Sequence, residues 1–273
     1  MKKKSPYTKK IAIIVLAIFT VCFIRLNLDS DNFSENSTSS IVEEIDLVPS
    51  DDPSKNRDHE GDTFSIVAFD PVTGQVGGAA CSCVGFNGGI DFLNDLIVDS
   101  GGNIIGGINS QASYNASTQA TARTRMLAGD TPQQIINFVV AADGGSASRQ
   151  YGVVGFNGPN LETAGFSGGS NGHFAGHLGG TEPGTGITYA IQGNILDNNN
   201  GSDNANGQDL LNDMETSFLA AEGTLADKLM AALQGAKRTA GDSRCNGSTN
   251  SGRTAFVRVL SPGEGDNNPG LYY

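Results

Sequence analysis

Tryptophan is absent, aromatic residues make up only 7% of the chain, and bases are scarce, with 17 Lys and Arg against 29 Asp and Glu. Six of those 17 bases lie in the first 25 residues, which hold no acid, so the remainder carries 11 − 29 = −18. A domain with that balance lacks the clustered Lys and Arg that neutralise phosphates, so nucleic acid is excluded as an expected partner. Familiar catalytic signatures are missing too. There is no Walker A loop, no G-x-S-x-G elbow, no H-E-x-x-H and no GxGxxG after a strand. Of three histidines, His173 and His177 stand four apart in HFAGH, but SGGSNGHFAGHLGG is too rich in glycine to be a helix. No metal site and no cofactor are expected.

Cysteine is limited to four residues, and Cys22 lies inside an apolar run. The other three, Cys81, Cys83 and Cys245, allow at most one disulfide, from Cys245 to Cys81 or Cys83, and leave one thiol. C-x-C without a second ligand pair does not specify zinc. Only one long apolar run occurs, IAIIVLAIFTVCFI at 11–24, after the basic MKKKSPYTKK and before Arg25. These are the n-region and h-region of a secretory signal, without a small-x-small cleavage site, so residues 1–25 read as a signal peptide or a membrane anchor. With the lysines inside, the rest of the chain is expected to be exported, either membrane-anchored and facing outward or secreted.

What the chain has in abundance is glycine, 37 residues, which favours close-packed sheets and tight turns over a helical bundle. Residues 26–62 are rich in Ser, Asn, Asp and Glu and read as a disordered acidic linker. From residue 63 to 273 the pattern is that of a folded domain. TFSIVAFD (63–70) and QVGGAACSC (75–83) flank Pro71-Val72-Thr73-Gly74 and predict a β-hairpin. Strands are expected at 103–111, 149–156, 186–194 and 253–260, and helices at 117–129, 131–143, 208–221 and 224–236. Thr131, Pro132 and Gln134 form a capping-box start ahead of an apolar face. The run LDNNNGSDNANG (196–207) fails the spacing of a calcium loop and reads as a solvated loop. Strands, two helices, strands, two helices and a strand predict an α+β fold with helix pairs packed on sheet faces.

One resemblance covers nearly all of that domain. TFSIVAFDPVTGQVGGAA is similar to the opening of the family called domain of unknown function 1028, TFSIVA-x-D-P-x-TG-x-x-G. Further matches follow in the same order: Gln111 in NSQA, MLAGD (126–130), RQYGVV (149–154), AGH (175–177), QGNIL (192–196) and AGD-x-R (240–244). The resemblance implies an αββα sandwich like that of N-terminal-nucleophile (Ntn) hydrolases. In such enzymes a Thr, Ser or Cys at the start of a strand is the nucleophile and its own α-amine is the base. Thr63 is the matching residue. Sixty-two residues precede it, so the Asp62–Thr63 bond must be cut before its nitrogen can act as a base.

The matched polar residues Gln111, His177, Asn194, Asp242 and Arg244 are candidates for a substrate pocket. Gln111 and Asn194 could donate to an oxyanion, and Arg244 could clamp a carboxylate. The family's usual Ser-Arg after the second strand is Ser82-Cys83 here, and no terminal strand is expected in the tail EGDNNPGLYY. The expectation is an amidohydrolase acting on a small-molecule or peptide-like substrate, with a homo-oligomer compatible with the sequence. The alternative is a surface-tethered binding module that keeps the fold without catalysis.

Overall fold

The hairpin that opens the folded region follows from its turn chemistry. The computed structural model describes residues 63–84, 89–196, 205–238, 241–245, 251–265 and 271–272. The apolar run, the acidic linker and residues 197–204 of the Asn-rich run lie outside them. Strands β1 (Phe64–Asp70) and β2 (Gln75–Ser82) pair antiparallel, with Phe64 opposite Cys81 and Asp70 opposite Gln75. Asp70 accepts hydrogen bonds from the Val72 N–H at 2.8 Å and the Thr73 hydroxyl at 2.7 Å. Gly74, at φ 71°, closes the turn by donating to the Asp70 carbonyl.

After the hairpin come β3 (Asn94–Val98), β4 (Ile104–Ala112), helices α1 (Ala116–Leu127) and α2 (Pro132–Ala142), β5 (Arg149–Asn157), β6 (Asn160–Ser167), β7 (Phe174–Thr181) and β8 (Thr188–Leu196). Helices α3 (Ala205–Ala220) and α4 (Leu225–Gly235) precede β9 (Thr254–Leu260) and β10 (Leu271–Tyr272). The expected Thr131/Gln134 capping box starts α2, and a second box, Thr224 with Asp227, starts α4. Four strands beyond the sequence reading appear. The glycine-rich segment set aside as non-helical forms β7, and β3 and β6 complete the second sheet. The tail also differs from expectation: β10 pairs with β9, Leu271 opposite Val259.

The strands form two antiparallel sheets, in the orders β10-β9-β2-β1-β8-β7 and β3-β4-β5-β6. Alternation along β1 divides its neighbours. Phe64, Ile66 and Ala68 pack with α3 and α4 through Leu210, Phe218, Leu225 and Leu229. Val67 and Phe69 point the other way and meet Leu96 and Val154 of the second sheet. The far face of that sheet carries Ile108, Tyr151 and Val153 against Ala122, Ile135 and Val139 of α1 and α2. Each fully buried Ile, Leu or Phe in these layers contributes roughly 1.5–3 kcal/mol. The described residues thus make a mixed α+β fold of two antiparallel sheets and four helices, all within one unit, Lys55–Tyr273. None of the described helices is long and apolar enough to cross a membrane.

Candidate active site

The face of β1 that carries Val67 and Phe69 also carries Ser65, and there the interior becomes polar. Thr63 lies one residue before Phe64, which is opposite Cys81 on one side and Gly193 on the other, so Thr63 sits between Ser82 and Asn194 at the mouth of a central strand. It is buried, and its carbonyl accepts from Gln111 Nε2 at 2.7 Å and from the Asn194 backbone N–H at 3.2 Å.

Behind Thr63 lies a network of neutral amides and hydroxyls between the sheets. The Ser65 hydroxyl donates to Gln111 Oε1 at 2.6 Å and accepts from Gln192 Nε2. Gln111 Nε2 also donates to Gln150 Oε1 at 2.6 Å, which accepts in addition from Asn194 Nδ2 at 3.0 Å. Gln150 Nε2 reaches the Gly176 and Gly193 carbonyls and the Ser167 hydroxyl, and that hydroxyl lies 3.1 Å from His177 Nδ1. Two glycines of the second sheet make room. A Cβ on Gly152 would fall 1.9 Å from Gln192 Oε1, and one on Gly165 would fall 2.4 Å from the His177 ring. That packing holds the imidazole against the sheet while one edge stays exposed, and desolvation lowers its pKa below the usual histidine value.

The expected site residues are therefore brought together to different degrees. Thr63, Gln111 and Asn194 touch directly, and His177 is linked to them through Ser167 and Gln150. Asp242 and Arg244 form a separate pair nearby. The Asp242 carboxylate is fully buried, accepts the Cys83 backbone N–H at 2.7 Å and binds the Arg244 guanidinium at 3.0 Å. An isolated bridge joins Asp242 to Leu196, two residues beyond Asn194. Of the two expected disulfide pairings, Cys83 with Cys245 is formed and Cys81 is free. Sequence reasoning missed Ser65, Gln150, Gln192 and Ser167 as members of the network. The signal available was polarity on an otherwise apolar face, since Ser65 alternates with Val67 and Phe69.

The geometry also restricts roles. Both Nε2 protons of Gln111 are engaged, by the Thr63 carbonyl and by Gln150, so Gln111 fixes Thr63 in place. Arg244 is already paired with Asp242, and a substrate carboxylate would have to compete with that partner. Next to Asn194 a shallow cleft is lined by Ala112, Ser113, Ser148, Ser170 and Ile195 among others. Ala112 and Ile195 hold φ of 69° and 50°, a left-handed conformation that is costly for a β-branched residue.

The described residues form a mixed α+β fold of two antiparallel sheets and four helices. Residues 63–268 match the model of the family described as a family of unknown function (DUF1028), and the chain belongs to that family. The solved protein SPO2555 from Silicibacter pomeroyi, of the same family, is similar at 27% identity and a TM-score of 0.53, over 73% of this chain and 76% of that one. No curated protein matches the chain.

Proposed function

We propose that the protein is an Ntn-type amidohydrolase acting outside the cytoplasm on a small amide or peptide-like substrate, with Thr63 as nucleophile after cleavage of the Asp62–Thr63 bond. The observation that carries this reading is the seat of Thr63. It is buried at the mouth of a central strand, with its carbonyl gripped by Gln111 and Asn194 beside a cleft with two strained residues. A nucleophile whose base is its own α-amine needs its backbone held from the carbonyl side, because the nitrogen must stay free to exchange protons with the hydroxyl. The layering of helices, sheet, sheet and helices supports the reading, being the αββα order of Ntn hydrolases. The Cys83–Cys245 disulfide supports an oxidising compartment, in keeping with export through residues 11–24, either anchored or released. The excess of acids argues for a partner other than nucleic acid.

The test is a chain that begins at Thr63, assayed on a panel of small amides beside the full-length protein. Hydrolysis is expected only from the trimmed chain, lost in Thr63→Ala and partly kept in Thr63→Ser. Activity should rise with pH around the ordinary α-amine range of roughly 7.7–8.0. Equal rates in Thr63→Ala and the parent would place the chemistry elsewhere. Silence of every trimmed chain would favour the second reading, a surface-tethered binding module. One observation favours that module: with 62 residues ahead of it, Thr63 carries an amide nitrogen, which is no base.

A further inference from the structure

At the outer end of the amide network a serine meets a histidine near the surface. Gln150 Nε2 reaches the Gly176 and Gly193 carbonyls at 2.9 and 2.8 Å and Ser167 Oγ at 2.7 Å. Turning that amide over would set its oxygen against two carbonyls, so Ser167 Oγ faces a donor. The hydroxyl proton then goes to His177 Nδ1, 3.1 Å away, and Nε2 carries the ring's own proton. Desolvation lowers the His177 pKa, so at neutral pH the ring is uncharged and able to accept. Gly165 seats the ring on bare backbone, since a Cβ there would fall 2.4 Å from it. Unlike Thr63 and the buried amides, His177 is exposed and Ser167 half-buried, within reach of a solute.

The strand supplies a third group. The Gly168 N–H donates to the Arg149 carbonyl, so Ser167, one residue earlier, turns its own N–H away from β5. Strand β6 ends the four-stranded sheet, and that N–H faces the open edge. A nucleophile, a base in hydrogen-bond contact with it and a backbone donor for an oxyanion are the parts that acyl transfer needs. We propose that Ser167 is a second nucleophile, with His177 as its base, that accepts the acyl group of small esters with good leaving groups. Oγ bonds to the acyl carbon while its proton passes to His177 Nδ1. The bond to the leaving oxygen breaks, and the alcohol departs with that proton. Water then attacks the acyl carbon, its proton returns through His177 to Oγ, and the acid departs. One oxyanion donor suits esters of acidic alcohols such as phenols, whose departure needs little help. The site is separate from Thr63 and independent of cleavage ahead of it.

The test uses the full-length, uncleaved chain and an alkyl fluorophosphonate, which phosphonylates activated serines and releases fluoride. Peptide mapping should place the adduct on Ser167 and leave Ser113, Ser148 and Ser170 bare. His177→Gln keeps a hydrogen-bonding side chain beside Ser167 but no base. It should slow labelling about a hundredfold, the low end of general-base catalysis, with Tm little changed. The same chain should hydrolyse p-nitrophenyl acetate, and Ser167→Ala should remove that turnover. Where Ser167→Ala fails to fold, the position of the adduct and the His177→Gln rate decide. No adduct, an adduct spread over several serines, an adduct at Thr63 alone, or equal labelling of His177→Gln and the parent would each overturn the proposal. None of these outcomes bears on the trimmed chain, whose chemistry needs the α-amine of Thr63.

Discussion

Two buried polar clusters sit on opposite sides of the six-stranded sheet, and they are built on different rules. On the helix side, Lys228 is buried and donates to Glu182 at 2.8 Å and to the Phe218 and Ala221 carbonyls. Three donors meet three acceptors, two of them at the C-terminal end of α3, where a cation is favoured. The other Glu182 oxygen is satisfied by Thr185. Between the sheets the cluster is neutral, larger and unfinished, since Asn194 Oδ1 and Gln192 Oε1 have no partner within the protein. A charged group buried without a partner is too costly to leave open, so the lysine cluster is closed and serves the fold. Neutral amides tolerate an open end, and that open end lies beside Thr63.

The covalent staple gives the largest expected effect. Cys83 and Cys245 are 162 residues apart in sequence, and closing such a loop stabilises by roughly 5 kcal/mol in the chain-entropy picture. Urea unfolding with and without reductant should show a loss of that order. A loss below about 1 kcal/mol would mean that packing alone holds the Asp242 loop. Next comes Gln150→Leu, which strands the Gly176 and Gly193 carbonyls and the donors of Gln111 and Asn194, at about 1–3 kcal/mol for each group left bare. A net loss of about 4 kcal/mol is expected. Lys228→Met should cost about 3–4 kcal/mol by isolating Glu182. Here the two clusters should part. Adding Glu182→Leu to Lys228→Met should recover much of the loss, because a closed ion pair can be replaced as a unit. Adding Asn194→Leu to Gln150→Leu should recover little, because the carbonyls remain. Equal recovery in both double mutants would erase the distinction.

How legible all this was in the sequence depends on what held each element. The hairpin and the α2 cap were legible because their signals are local: Asp70 and Gly74 close the turn, and Thr131 with Gln134 closes the cap. Strand β7 was illegible, since FAGHLGGT has no alternating apolar face. Its glycines are there because neighbours press close, with the Tyr189 carbonyl 2.8 Å from where a Cβ on Gly179 would lie. Thr63, Gln111 and Asn194 were found through family resemblance, and the structure places them in contact. Gln150 and Gln192 lie in matched segments but read as ordinary strand residues, because their partners are distant in sequence: Ser65 and Gln192 are 127 residues apart.

The smallest effect concerns the remaining thiol, which packs against the helix-side core and tests whether that side holds a reactive group. Cys81 lies on β2, opposite Phe64, and burial pushes its pKa from 9.0 up to about 11, with the Asp242 charge adding to the rise. The folded protein thus holds this proton more tightly than the unfolded chain. The stability it contributes is fully present below about pH 9 and is lost as pH rises from there through about 11. Cys81→Ala should flatten stability against pH across that interval. At pH 8 the shift leaves the folded state with about 100-fold less thiolate, so alkylation by iodoacetamide should be slower by about that factor than in the urea-unfolded, unreduced protein. Asp242→Asn should speed alkylation only a few-fold, because desolvation is the larger cause. Folded Cys81 reacting as fast as the unfolded thiol would reveal a water-exposed, activated sulfur on the helix side of the sheet, opposite the amide cluster.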